Sequence, residues 1–209
     1  MRQDTILQEI IKPKDCLFAV TFPMDYESFL DDLKPEVNKQ FSKGKFRQYH
    51  TEHENEALIW ELRTEAAAKQ IKKTGDLLES KGGVVKYNFS FRDLWMIKGF
   101  KCIILQAHYD FARREIELFD GMHKTTDIAN EMPDGFIGLF DLKVCNSEYL
   151  AFDIKKKYGN NCNIIQNKQE ISIEVRMPVL RTLINILDVE NMNYVDADIL
   201  IIKSLKKTV

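Results

Sequence analysis

Cysteine is sparse in this chain, and none of it is paired in sequence. Cys16, Cys102, Cys145 and Cys162 stand far apart with no C-x-x-C spacing, which excludes zinc ribbons and dithiol redox motifs of that form. Reduced thiols buried as small hydrophobes are the expectation. Glycine and proline number only 9 and 5 in 209 residues, and no Gly/Ser-rich or low-complexity tract occurs, so packed modules are expected and not modules on a flexible tether. No apolar run approaches a membrane span, and the opening MRQDTILQEI lacks the apolar core of a signal peptide; the expectation is a cytoplasmic protein with no membrane association. Neither sign of charge prevails. Lys and Arg total 30 against 32 for Asp and Glu, a net charge of −2 that argues against a general binder of nucleic acid. The sequence also lacks a G-x-x-x-x-G-K-[ST] phosphate loop, a G-x-G-x-x-G fingerprint and a G-x-S-x-G elbow, so the common nucleotide hydrolase, dehydrogenase and serine hydrolase chemistries are unsupported.

What is present is periodicity. FIGLFDLKVC sets Phe136, Gly138, Phe140, Leu142 and Val144 on one face of a strand, and ISIEVR alternates Ile171, Ile173 and Val175 with Ser172, Glu174 and Arg176. SEYLAFDIKKKYG carries Leu150, Ile154 and Tyr158 on one helical stripe, and PVLRTLINIL does so with Leu180, Leu183, Ile184 and Leu187. With ADILIIK as a last strand, residues 136–209 read as a βαββαβ unit. Residues 14–92 read the same way, from CLFAVTF through a helix, KFRQYH, ALIWELR, a second helix ended by Gly82-Gly83, and VVKYNFSF. Both units begin with Leu-Phe in the first strand, at Leu17-Phe18 and Leu139-Phe140. The expected fold is therefore α+β, two tandem ferredoxin-like (βαββαβ) halves. Residues 1–13 form a lead-in segment, and residues 93–135 form a β-hairpin connector turning between Asp110 and Arg114. A rival parse makes residues 52–80 a single helix, because Thr51-Glu52-His53-Glu54 fits a capping box.

Four constellations could carry chemistry. His50 and His53 beside Glu54 are the densest group of metal-ligand types, with a solvated polar turn as the alternative. Pro133-Asp134 with Asp141-Leu142-Lys143 resembles the PD-(D/E)xK nucleases, a resemblance that implies a Mg²⁺ held by Asp134 and Asp141 with Lys143 stabilising the attacking water. Pro-Asp-Gly is equally a turn signature. Lys98-Gly99-Phe100 with Ile103 resembles the RNA-contacting strand of RNA-recognition motifs, but the stacking aromatics are replaced by Cys102 and Leu105. His123-Lys124-Thr125 is similar to one of the two H-x-T triplets of the 2H phosphoesterases, and no second triplet exists.

No constellation is complete, so the expectation is a non-enzymatic binding or regulatory protein that presents a sheet face or edge to a protein partner, a small ligand or a second copy of itself. No cofactor is implied. The face expected to bind is formed by Asp141, Lys143, Ser172, Glu174 and Arg176, which alternation places away from the helices. A metal-dependent phosphodiesterase or nuclease, or an RNA-binding protein of tandem ferredoxin-like type, is the alternative; the charge balance does not favour nucleic acid.

Overall fold

In the computed structural model, residues 9–21, 54–144, 147–166 and 172–206 are described, with side chains from 66 to 204 in the last three segments. The chain enters strand β1 (Cys16–Val20) and crosses through helix α1 (Glu54–Ser80) to β2 (Val84–Lys86). A 3-10 stretch at Phe91–Gly99 leads to β3 (Cys102–Gln106). Three short strands follow, β4 (His108–Asp110), β5 (Glu115–Leu118) and β6 (Gly121–Lys124), then helix α2 (Thr125–Glu131). Strand β7 (Gly138–Leu142), helix α3 (Glu148–Tyr158), strand β8 (Cys162–Ile165) and helices α4 (Ile173–Val189) and α5 (Tyr194–Lys206) complete the described order.

Five strands form one parallel sheet in the order β2-β1-β3-β7-β8. All five positions of β1, β3 and β7 are buried, as expected of parallel strands covered on both faces. Alternation sends Phe18, Ile104 and Leu139 to a core shared with α1, α4 and α5. Leu17, Ile103 and Phe140 go to a second core shared with the 3-10 stretch, β5, α2 and α3. The architecture is a doubly wound α/β sheet with helices on both sides. The tandem ferredoxin-like arrangement is thereby corrected: strands from residues 14–92, 93–135 and 136–209 lie side by side in one sheet, and its strand order is not that of a simple ferredoxin fold.

The corrections have local causes. ALIWELR lies inside α1, a single helix over 54–80, so the rival parse is the observed one. Its end follows the expectation: Gly82, at φ +84°, and Gly83 return their N–H groups to Glu79 and Leu78 in a Schellman motif. ISIEVR is not a strand in its described part. Ser172 is the N-cap residue of α4 and Ile173 opens the helix, because Ile173, Met177, Leu180, Ile184 and Leu187 continue one helical stripe backwards past Pro178. Proline lies inside the helix and does not open it. ADILIIK belongs to α5, where Tyr194, Ala197 and Ile201 share the buried side. By contrast, the stripes Leu150-Ile154-Tyr158 and Leu180-Leu183-Ile184-Leu187 are buried as expected.

The expected hairpin exists but begins later than the sequence suggests. Cys102–Gln106 belongs to the parallel sheet, while β4 and β5 pair antiparallel, His108 opposite Glu117 and Asp110 opposite Glu115, within a separate sheet β4-β5-β6. Arg114 turns the hairpin at φ +56°.

Candidate functional site at the carboxyl edge of the sheet

Parallel sheets of this kind collect function outside the carboxyl ends of their strands, where the connecting loops leave the sheet. At that edge the N–H of Thr21 donates to the Gln106 carbonyl at 3.0 Å and the N–H of Phe89 to that of Val20 at 2.8 Å. Past β3 the chain runs through Ala107 to His108, which is exposed and opens β4 opposite Glu117. Past β7 it runs through Lys143 and Val144. Cys145 and Asn146 lie outside the described residues; Val144 before them and Ser147 after them are both fully buried. Ser147 Oγ and Gln106 Oε1 are buried without a hydrogen-bond partner among the described residues.

Beneath the edge, on the α4–α5 side, lies a buried ionic network. Asp141, 0% exposed, receives Lys143 Nζ at 2.8 Å and the Tyr194 hydroxyl at 2.6 Å on Oδ2, while Oδ1 has no partner among the described residues. Arg176, buried on α4, donates from its guanidinium to the Lys143 carbonyl. Burial, reinforced by the Asp141 charge, holds the Tyr194 hydroxyl well above its usual pKa. Asp198 is raised by burial and by Asp141, with Lys143 opposing.

These positions answer the sequence-derived candidates one by one. Asp141, Lys143 and Arg176 do come together, but in the interior and not on an exposed face. Ser172 and Glu174 are exposed at the start of α4 and stand apart from them in the sense that the shared strand face does not exist. Asp134 precedes the amino end of β7, side chain 99% exposed and 3.5 Å from Lys157, whereas Lys143 follows the carboxyl end. The strand thus separates the two halves of the nuclease-like pattern, and its second carboxylate is closed in by Lys143 and Tyr194. His50 and His53 lie outside the described residues, and Glu54 is the first residue of α1. No group of three His, Cys, Asp or Glu side chains that could hold a metal ion occurs among the described residues. His123 is spent on Asp120 at 3.1 Å and stacks on Phe91. Lys155 Nζ donates to the Cys162 carbonyl at 2.8 Å, and Lys157 Nζ donates to those of Asn130 and Met132.

A cleft of about 530 Å³ lies between the β4–β5 hairpin, the start of α2 and α3. Arg113, Arg114 and Lys124 line it from one side, and Glu148, Tyr149, Phe152 and Asp153 from α3. Arg114 lays its guanidinium 4.0 Å over the Tyr149 ring. Nearby, burial pushes the Tyr109 hydroxyl up to about 12.

Sequence reasoning did not single out His108 or Cys145. Each follows a buried apolar strand, IILQAH and LFDLKVC, three residues beyond the paired positions Leu105 and Leu142. That equal offset was visible in the sequence, but it acquires meaning only once the two runs are neighbouring parallel strands. No helix among the described residues is long and apolar enough to cross a membrane. No protein-family model, curated protein or solved structure matches the chain.

Proposed function

We propose that the protein is a cysteine hydrolase acting on peptide-type acyl bonds, with Cys145 as nucleophile and His108 as its base. The observation that supports this reading is the β3–β7 register: Leu105 pairs with Leu142, His108 comes three residues after Leu105 in the chain, and Cys145 comes three after Leu142 in the sequence. A thiol nucleophile with a base to take its proton is the pairing that thiol catalysis needs.

The chemistry follows from those two groups. Cys145 Sγ adds to the substrate carbonyl carbon while its proton passes to the His108 imidazole; the tetrahedral intermediate collapses, and imidazolium returns the proton to the departing amine. Water, deprotonated by the same imidazole, then cleaves the thioester, releasing the acid and restoring the thiol. The alternative of a non-enzymatic binding protein has less support. Both faces of β1, β3 and β7 are covered, which leaves presentation of a sheet to the edge strands β2 and β8.

Iodoacetamide alkylation followed by mass spectrometry tests the proposal. Cys145 is expected to react at pH 6 far faster than a free thiol such as glutathione, and His108→Ala to slow it about tenfold or more by removing the imidazolium that stabilises the thiolate. A Cys145 that reacts no faster than glutathione, with no change in His108→Ala, overturns it.

A further inference from the structure

We infer that the cleft between the β4–β5 hairpin and α3 binds a single carboxylate side chain of an acidic peptide, with Arg114 as the recognising group. The inference rests on the cysteine-hydrolase reading only where it calls that peptide a substrate.

Location is the first argument. The hairpin that supplies Arg113 and Arg114 follows β3, and the helix that supplies Glu148, Tyr149 and Phe152 follows β7, so the cleft is walled by the segments after two neighbouring parallel strands. Its volume of about 530 Å³ is in the range of small-ligand pockets.

Arg114 is the second. Its guanidinium rests 4.0 Å from the Tyr149 ring centroid, and it forms no ion pair among the described residues although two carboxylates line the same cleft. Arg113 is engaged differently: its Nε lies 3.6 Å from Asp110 Oδ2 and its N–H donates to Asp110 Oδ1 at 3.0 Å. Asp153 accepts the Thr125 hydroxyl at 2.6 Å. The base of Arg114 is fixed as well, since its carbonyl accepts the Thr125 N–H at 3.1 Å and its backbone is left-handed. A guanidinium held over a ring from a fixed turn keeps donors for a ligand, at little ordering cost.

Charge and apolar surface choose the ligand. Three cations face two carboxylates, Glu148 and Asp153, which leaves one positive charge and suits a singly charged carboxylate better than a phosphate dianion. Phe152 is 65% exposed and Phe111 49%, and Phe111 meets Tyr149 at 5.3 Å, which gives the stem of an Asp or Glu side chain and its flanking peptide an aromatic wall.

The test uses the full chain as Cys145→Ala, so that nothing is turned over. Two fluorescein-labelled hexapeptide pools, randomised except for one position that is Glu in one and Gln in the other, are titrated by fluorescence anisotropy. The Glu pool is expected to bind about tenfold tighter at low salt, a difference typical of a charge-assisted hydrogen-bond pair. Arg114→Gly, which suits the left-handed backbone, should erase the difference, and Arg114→Lys should keep only part of it. Equal binding of the pools, no binding of either, or a Glu preference untouched in Arg114→Gly and Arg114→Lys overturns the inference; tighter binding of a phosphoserine pool overturns the carboxylate assignment. Failure here leaves the alkylation result standing, and a Glu preference without Cys145 reactivity keeps the cleft while removing the hydrolase.

Discussion

Lys143→Met would strand the Asp141 carboxylate in the interior. The side chains of Asp141 and Lys143 are 0% and 7% exposed, and their 2.8 Å contact is supplemented by the Tyr194 hydroxyl alone, with Oδ1 unpartnered among the described residues. Removing one member of such a pair leaves an uncompensated buried charge, at a cost of about 3–5 kcal/mol. For a chain of this size 1 kcal/mol moves the midpoint by roughly 2–4 °C, so Tm should fall by about 6–20 °C. Urea unfolding by circular dichroism, with calorimetry alongside, reads this directly. The informative control is the triple variant Asp141→Leu, Lys143→Met, Tyr194→Phe, which removes charge, counter-charge and hydroxyl together. Replacing a whole buried network by side chains of similar volume is commonly neutral or stabilising by about 1–4 kcal/mol, so the triple variant should regain most of what the single one loses. Arg176 keeps its acceptor in both variants, since that acceptor is the Lys143 backbone carbonyl. A loss under about 1 kcal/mol in Lys143→Met, or a triple variant as unstable as the single, would refute the account of Asp141 as an ionised group dependent on Lys143.

Two further expectations concern the same sheet. Tyr194→Phe removes a hydrogen bond to a charged group, worth about 1.5–3 kcal/mol at neutral pH. Because the Tyr194 pKa is raised in the folded state, wild-type stability from this group is fully present below the unfolded value of 10.0 and is lost as pH climbs toward the folded one; the gap between the proteins in urea midpoint should therefore narrow from pH 9 to pH 11. Gly138→Ala would drive a methyl group into the Lys101 carbonyl and the Phe136 ring at the start of β7, costing about 1–3 kcal/mol by the same urea assay.

How much of this was legible in the sequence differs by element. The stripes of α3 and α4 were plain, because a one-sided helix advertises its period over several turns. Strands buried on both faces carry no alternation to distinguish them from buried helix, so β1, β3 and β7 could be located as apolar runs but not read as parallel neighbours. The same ambiguity turned ADILIIK, with Ala197 and Ile201 inward, into a supposed strand. Six alternating residues, ISIEVR, fit a strand template until the longer stripe through Met177 and Leu180 is counted with them. The grouping of Asp141, Lys143 and Arg176 was found through this mistaken strand: the two positions on β7 and beyond it do share a side, and Arg176 reaches them from a helix. The proposed pairing of His108 with Cys145 has no local signal, because 37 positions separate them in sequence, and only the parallel crossover makes β3 and β7 neighbours.

The buried network also bears on the edge where the proposed chemistry lies. Stability alone gives little reason to keep an ion pair in a core. Position gives one. Asp141 lies on the α4–α5 side of β7, between Phe140 and Leu142, which pack on the opposite side. A slip of β7 by one residue would turn Asp141 into the aliphatic core against α3 and bring Phe140 and Leu142 into the polar ground around Tyr194 and Asp198. The carboxylate therefore penalises the wrong register far more than it stabilises the right one. Lys143 and Arg176 extend that restraint past the last ladder residue, one by its ammonium on Asp141 and the other by its hydrogen bond to the Lys143 carbonyl. The chain thus leaves the sheet with a fixed register and a fixed carbonyl at Lys143, the kind of support that the proposed nucleophile would need if its geometry is to be set before substrate arrives.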